Sequence, residues 1–229
     1  MKGVFRIAAA IAAIWVSLGA MPASAAPAWL ATVTATPEGH RLGNPDAKVK
    51  LIAYESYTCP HCANFEKEAA AAMRLGYIQP GKMSLEVRHY PRDPVDLTAA
   101  VLTECVPPNR FFDAHRAFYV NYDKWIPLLS KATAAQRARW SVADRAAARR
   151  SIANDFGFYD LMASVGLSRV QADKCLNNAA LADKIANLRK DTDTKYPDFA
   201  GTPTFVLNGL MLSWTASWDA LRPQIEARL

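Results

Sequence analysis

Residues 49–75 have the sequence VKLIAYESYTCPHCANFEKEAAAAMRL, and this stretch decides the fold. Residues 49–54 are an apolar run typical of a buried strand, and the alanine-rich residues 63–75 are typical of a helix. Pro60 lies where that helix would begin, a position that favours proline because its missing N–H has no partner to lose. The stretch therefore predicts a strand, a Cys-Pro-His-Cys loop and a helix in direct succession.

The flanking sequence extends this unit in both directions. Residues 83–89 alternate as a second strand, which should be parallel to the first with a right-handed crossover. Residues 97–190 are helical in pattern, with many alanines and few glycines. Residues 204–207 and 210–214 predict a hairpin about an Asn-Gly turn, and a C-terminal helix follows. The layout predicts an α/β protein in which one sheet is interrupted by a helical insertion.

The N-terminus has the three parts of a secretory signal. Lys2 and Arg6 precede an apolar stretch over residues 7–20, and Ala23-Ser24-Ala25 supplies small residues for cleavage. The apolar stretch is shorter than the about 18 residues that a membrane span requires. We therefore predict a cleaved signal peptide over residues 1–25 and export to the periplasm, where paired cysteines oxidise.

The overall charge does not indicate a nucleic-acid partner. The formal net charge is +6, but two of the 27 basic residues fall in the signal segment. The basic stretch over residues 137–150 has no interleaved pattern of aromatic side chains, so it is predicted to be a solvated helix face. Hydrophobic residues make up 51% of the chain, as in an ordinary globular protein.

Cys59-Pro60-His61-Cys62 fits a redox pair better than three alternatives. A zinc site would need two more ligands in a similar pair, whereas Cys105 and Cys175 stand far apart. A c-type haem would need histidine directly after the second cysteine, where this chain has Ala63. A purely structural disulfide would close so short a loop that it would restrain the unfolded chain little. The order of strand, motif and helix favours thiol–disulfide chemistry.

The expected geometry gives the two cysteines different roles. Cys59 would lie at the helix N-terminus, where unpaired N–H groups and the positive end of the helix dipole stabilise a thiolate. Cys62 would be more buried and act as the resolving thiol, and His61 would place a donor or a positive charge beside the Cys59 sulfur. Because a low thiol pKa stabilises the reduced form, the pair is predicted to be oxidising.

The chain resembles the DsbA-like thiol:disulfide oxidoreductases of the thioredoxin superfamily. The resemblance rests on the Cys59–Cys62 motif, on Gly-Thr-Pro-Thr-Phe over residues 201–205 and on the helical insertion between them. It implies a thioredoxin fold with an inserted α-helical domain. Residues 26–96 and 191–229 would form the thioredoxin-like domain, and residues 97–190 the insertion.

The resemblance also assigns roles around the cysteine pair. It implies that Pro203 is in cis and packs against the pair, and that the backbone of Thr202 binds an extended substrate chain. The buried acid usual in the family lies six residues before the first cysteine, where this chain has Ala53. Glu55 lies on the same strand face and is predicted to take over proton transfer. A solvated or hydrogen-bonded Glu55 is the alternative, with water or His61 moving the proton.

The remaining cysteines and histidines are predicted to be structural. The redox assignment leaves Cys105 and Cys175, which we expect to form a disulfide comparable to a second bond in some family members; two unpaired buried thiols are the alternative. His40, His89 and His115 lack the spacing of a metal site and are predicted to be surface or capping residues. Neither a metal nor an organic cofactor is predicted.

Most tryptophans are predicted to fill cores, and some aromatic side chains to line an apolar patch near Cys59. The tryptophans concerned are Trp125, Trp140, Trp214 and Trp218.

Together these features predict a periplasmic dithiol oxidase that introduces disulfides into unfolded or reduced exported proteins. The resemblance implies reoxidation by a DsbB-like, quinone-linked membrane partner, and we expect a monomer. A disulfide isomerase or reductase is one alternative, and a peptide-binding chaperone with an incidental redox pair is another. Isomerases that resemble this chain add an N-terminal dimerisation domain, and the short segment over residues 26–48 leaves no room for one.

Overall fold

The computed structural model describes residues 28–229, so the predicted signal peptide over residues 1–25 lies outside the described part of the chain. The strands are β1 (Val33–Ala35), β2 (Gly39–Gly43), β3 (Val49–Glu55), β4 (Met83–His89), β5 (Thr204–Leu207) and β6 (Leu210–Met211). The helices are α1 (Pro60–Met73), α2 (Pro94–Thr103), α3 (Phe111–Val120), α4 (Tyr122–Trp125), α5 (Pro127–Lys131), α6 (Ala134–Trp140), α7 (Arg145–Asp155), α8 (Phe158–Ala163), α9 (Arg169–Leu176), α10 (Ala179–Lys195) and α11 (Trp218–Glu226).

The strands form one mixed sheet in the order β1-β2-β4-β3-β5-β6. β3 and β4 are parallel and are connected through α1, whereas the other neighbouring pairs are antiparallel. The predicted strand–helix–strand unit is therefore confirmed, with Val49 opposite Met83 and Glu55 opposite His89. Since β3 lies inside the sheet, the loop that follows it begins at a rigid position.

The N-terminal hairpin of β1 and β2 was missed by the sequence pattern. Both strands are short, and β1 is largely exposed, so neither has the apolar alternation that predicts a strand. The pairing of β2 with β4 depends on close backbone approach, because a Cβ atom on Gly39 would overlap the Val87 carbonyl oxygen. This hairpin pairs with the edge of β4, for which the sequence analysis predicted no partner strand.

The C-terminal hairpin was predicted in place but not in length. Asn208 and Gly209 form its turn with φ values of 52° and 86°, the left-handed conformation that this turn requires. The returning strand ends at Met211, whereas the sequence pattern extended it to residue 214. The last helix begins after Ser217, whose side chain accepts a hydrogen bond from the Ala220 N–H.

Helices α2 to α10 lie between β4 and β5 and form the helical insertion. The buried apolar side chains fall into two clusters, one at the sheet around Phe205 and one within the insertion around Phe118. Cys59 and Cys62 belong to the second cluster, so the cysteine pair lies where α1 meets the insertion. Across residues 28–229, no helix combines the length and apolar character needed to cross a membrane.

The histidine predictions were wrong, because His40, His89 and His115 are all buried. Glu104 lies between two of them, with its carboxylate oxygens 3.0 Å from His40 Nε2 and 3.1 Å from His89 Nε2. The ring of Phe111 stacks on His40 at a centroid distance of 3.9 Å. Glu104, at the C-terminal end of α2, and the ring of Phe111 are thus partners of the buried histidines that the sequence did not reveal.

Part of the basic stretch was also misjudged, because Arg149 is buried rather than solvated. Its Nε donates a hydrogen bond of 2.8 Å to the Leu176 carbonyl oxygen, which joins α7 to the end of α9.

Cys105 and Cys175 form a disulfide with their Cα atoms 6.1 Å apart, which ties the end of α2 to α9. Because the bond closes a loop with a sequence separation of 70 residues, we expect Cys105→Ser to lower the free energy of unfolding by up to about 4 kcal/mol. Thermal unfolding followed by circular dichroism measures the loss. In the control, Cys59 of the Cys105→Ser variant should be alkylated at the same rate as Cys59 of the wild type. An unchanged melting temperature would show that the bond does not stabilise the fold.

Candidate active site

The cysteine pair is placed by the end of β3 and the start of α1. Cys59 occupies the position before the first helical residue, with φ −85° and ψ 120°, and Pro60 is the first residue of the helix. Cys62 lies one turn into α1 and is fully buried. Both cysteines are free thiols in this structure. The backbone N–H groups of the first helical turn therefore point at the Cys59 sulfur.

The surroundings lower the pKa of the Cys59 thiol to about 5. The largest cause is a hydrogen bond from the Cys62 thiol, and burial opposes it; the Thr202 side chain and the N–H groups of Cys62 and His61 lower the pKa further. The pKa of Cys62 is raised well above its usual value, first by burial and then by its interaction with Cys59. At neutral pH one sulfur is thus a thiolate and the other a thiol.

The loop before β5 lies against the cysteine pair. The Thr202–Pro203 peptide bond is cis, as the resemblance implies, and Pro203 is buried. Cys59 Sγ, as a thiol, donates a hydrogen bond of 3.1 Å to the Thr202 carbonyl oxygen. Among the described residues the buried Thr202 hydroxyl has no partner in this state, which leaves it available to donate to a thiolate.

A cavity of about 620 Å³ opens beside Cys59. Only 1% of the Cys59 surface is exposed, but the residue lines this cavity together with Pro203 and Arg92, so its sulfur is reached from there. Trp214 belongs to the aromatic residues predicted to fill cores or to line an apolar patch near Cys59. It lines this cavity and is fully exposed. His61 lines it too and is exposed. A larger cavity of about 870 Å³ meets it at Arg92 but contains neither cysteine.

Two carboxylates of α2 hold the loop that leads to Cys59, a feature the sequence did not predict. Asp96 accepts hydrogen bonds from Ser56 Oγ at 2.5 Å and from the Tyr57 N–H at 2.7 Å. Asp93 accepts one from Thr58 Oγ1 at 2.6 Å. Burial raises the pKa of Asp96 to about 7, although the hydrogen bond from Ser56 opposes the shift. Asp-Pro before a helical run predicts a helix cap, but nothing local shows which loop its acids bind.

Glu55 lies in a closed environment behind the cysteines. It is 3% exposed, and neither carboxylate oxygen has a hydrogen-bond partner among the described residues. Burial raises the pKa of Glu55 well above its usual value, and the charge of Glu66 raises it further. The Glu55 charge in turn contributes to the raised pKa of Cys62. The solvated alternative for Glu55 is therefore wrong.

His115 joins Glu55 to Glu66. Its Nε2 atom lies 3.7 Å from Glu55 Oε2 and 3.8 Å from Glu66 Oε1, while its Nδ1 is 3.0 Å from the Tyr57 hydroxyl. Each of the three side chains brings one nitrogen or oxygen within 4.8 Å of the others. Metal sites and proton-sharing clusters both have this composition. The sequence pointed to Glu55 alone, since one histidine on an apolar helix carries no signal of its partners.

These features define a class: a thioredoxin-type sheet in which a cysteine pair begins the first helix and a cis-proline loop faces it. The family model for thioredoxin matches residues 35–227. The crystal structure of Wolbachia pipientis alpha-DsbA1 shares the fold, with 23% identity, 82% of this chain and 89% of that chain covered, and a TM-score of 0.60. The chain belongs to the thioredoxin family, and its helical insertion gives it the fold of the Wolbachia pipientis structure.

A second solved structure is more similar in sequence. The crystal structure of a protein-disulfide isomerase from Novosphingobium aromaticivorans is 47% identical, covers 83% of this chain and 97% of that chain, and has a TM-score of 0.79. Curated relatives from Rickettsia conorii and Rickettsia typhi are 31% and 30% identical over 74% of this chain, and carry protein-disulfide oxidoreductase as a provisional name. The matches cover 53% and 54% of those relatives, so the chain spans about half their length.

Proposed function

We propose that this chain is a periplasmic thiol:disulfide oxidoreductase that introduces disulfides into exported proteins. The observation that carries the proposal is the unequal ionisation of the pair: the pKa of Cys59 is lowered to about 5 and that of Cys62 is raised. A good leaving thiolate makes the disulfide reactive and its reduced form stable, which is the property of an oxidant.

Disulfide transfer would proceed in two exchanges at Cys59. A substrate thiolate attacks Cys59 Sγ, so that a substrate–Cys59 bond forms, the Cys59–Cys62 bond breaks and Cys62 leaves as a thiolate that takes up a proton. A second substrate thiolate then attacks the substrate sulfur of the mixed disulfide and releases Cys59 as a thiolate. The substrate loses two electrons, and the enzyme holds them as a dithiol. The resident residues suffice for this exchange without a cofactor.

Substrate binding would use the cavity beside Cys59. Pro203 offers no N–H and no group that competes with a substrate sulfur, and the Thr202 backbone would pair with an extended segment. The fully exposed Trp214 indole at the rim supplies apolar surface for side chains of an unfolded chain. The site thus favours unfolded or reduced polypeptides over folded partners, and a single copy of the chain suffices to form it.

Glu55 would handle the proton of Cys62. A carboxyl that is neutral when the pair is oxidised can protonate the departing Cys62 thiolate, and its charge would in turn be felt by the buried thiol. Reoxidation would require a membrane, quinone-linked oxidase of the DsbB kind, which accepts the two electrons from the dithiol.

A disulfide isomerase is the second candidate, because the Novosphingobium aromaticivorans relative with 47% identity carries that name. The two activities differ in substrate. An oxidase acts on a fully reduced protein, whereas an isomerase restores activity to a protein with scrambled disulfides under mildly reducing conditions.

The reduction potential of the Cys59–Cys62 pair against glutathione tests the proposal. We expect a value at the oxidising end of the family, above about −180 mV, and faster oxidation of reduced ribonuclease than repair of scrambled ribonuclease. A potential as low as the about −270 mV of thioredoxin would reject the oxidase. Cys59→Ala should abolish oxidation; a variant that still promotes refolding at the wild-type level would identify a chaperone instead.

A further inference from the structure

We propose that His115 and Glu66 carry protons between Glu55 and solvent, so that the helical insertion supplies part of the proton path of the buried cysteine. This inference rests on the proposed function and extends it to two side chains that have no contact with substrate. It concerns the resetting of Glu55 after each transfer rather than the exchange of sulfur bonds.

Glu55 cannot exchange protons with water directly. Its side chain is 2% exposed. It faces Cys59 at the end of the loop, Cys62 and Glu66 of α1, and Tyr119 of α3. The two cysteines and Tyr119 are not free to carry the proton outward. The cysteines are the reacting pair, and the Tyr119 hydroxyl already donates to the Ser56 carbonyl oxygen at 3.1 Å. His115 Nε2 lies 3.7 Å from Glu55 Oε2 and 3.8 Å from Glu66 Oε1 and has no hydrogen-bond partner among the described residues, so it connects the two carboxyls.

The Tyr57 hydroxyl prepares His115 for this role. It lies 3.0 Å from Nδ1 and can either donate to that nitrogen or accept a proton from it. Nδ1 can therefore stay hydrogen-bonded to the tyrosine whether or not Nε2 carries a proton. Both carboxyls face the same nitrogen, so a proton passes from one to the other through a single ring.

Glu66 gives the path its exit. Its Oε1 lies 3.8 Å from His115 Nε2, and its side chain is 9% exposed. A small cavity of about 30 Å³ is lined by Glu66 and His115 and reaches Arg74 and the exposed Arg116. Both cations line the same cavity as Glu66. The route thus runs from β3 through α3 to a surface beside α1.

Multiple-turnover oxidation of a reduced peptide, with oxidised glutathione in excess to regenerate the Cys59–Cys62 disulfide, tests the path; the rate is followed from pH 5 to pH 8 in water and in deuterium oxide. We expect His115→Gln and Glu66→Gln each to slow the transfer by about 10- to 100-fold. This loss does not exceed the smallest rate enhancements that positioned acid–base groups usually contribute. Both variants should show a solvent isotope effect larger than that of the wild type, because proton movement becomes limiting. Glu66→Asp should recover part of the rate.

Controls separate proton transfer from structure. Glu68→Gln changes an exposed carboxyl on the same helix and should leave the rate unchanged. The pKa of Cys59 and the equilibrium reduction potential should stay near the wild-type values in Glu66→Gln. This variant keeps the size of the side chain and is therefore expected to fold even if His115→Gln does not.

Three results would overturn the path. One is a wild-type rate and isotope effect in Glu66→Gln; another is a rate loss that parallels a change in Cys59 pKa or in melting temperature. A pH profile that changes after treatment with EDTA would make the cluster a metal site instead. If Glu55→Gln slows transfer but neither of the other variants does, the proposed function stands and only the path fails. A wild-type protein that oxidises no dithiol would remove the proposed function itself.

Discussion

The Cys59 thiol of the reduced protein should be half ionised near pH 5, so that roughly 99% of it is thiolate at pH 7. Ultraviolet thiolate absorbance and the rate of alkylation by iodoacetamide should give the same midpoint. The raised pKa of Cys62 keeps the second thiol out of this range, so a single transition is expected. A midpoint above pH 8 would leave the pair without an activated sulfur and would contradict the oxidase proposal.

Two substitutions of the same residue identify the cause of this ionisation. The hydrogen bond from Cys62 is the largest contribution to the lowered pKa, so Cys62→Ala, which removes the donor, should raise the midpoint. Cys62→Ser keeps a hydroxyl donor and should raise it less. Equal midpoints in both variants and the wild type would show that the backbone N–H groups and Thr202 suffice.

The second large effect is a pH dependence of the stability of the reduced protein. Because the folded pKa of Cys59 is depressed from 9.0 to about 5, its stabilisation is fully present above pH 9 and is lost as pH falls toward 5. Between pH 8 and pH 5 the loss amounts to about 4 kcal/mol at most, and to roughly half of that after allowance for solvent screening. Urea unfolding in the presence of a reductant measures it.

Cys59→Ala is the matched control, because it removes the titrating sulfur and keeps every other carboxyl and histidine. The difference in unfolding free energy between the reduced wild type and this variant should shrink on acidification. A difference that is constant from pH 8 to pH 5 would mean that the folded protein does not favour the thiolate. The same measurement therefore tests the thermodynamic basis of the oxidising role.

The parts of the fold that depend on local signals were predictable. The apolar run of β3, the proline that opens α1 and the Asn-Gly turn each act within a few residues, and all three lie where the sequence indicated. The hairpin of β1 and β2 was not predictable in this way, since its stability comes from pairing with β4 rather than from its own pattern.

The candidate site also combines features that local sequence predicts with features that depend on long-range contacts. The cysteine motif and Glu55 were visible as a spacing along one strand and one helix. The partners of Glu55 were not, because His115 and Glu66 reach it from α3 and α1, and Asp96 reaches the loop from α2. The sequence did not show which aromatic residues fill cores and which line the patch near Cys59, because the exposure of Trp214 depends on where the short β6 strand ends.

The hydrogen bonds that Asp93 and Asp96 accept from residues 56–58 have a practical consequence for engineering. The two aspartates hold the loop that contains Ser56, and the Ser56 backbone also hydrogen-bonds Cys62. A chimera that receives the insertion of a distant relative would exchange these acids and lose the alignment of both sulfurs, even with the motif intact. A chimera should therefore take α2 and the loop between β3 and α1 from the same protein.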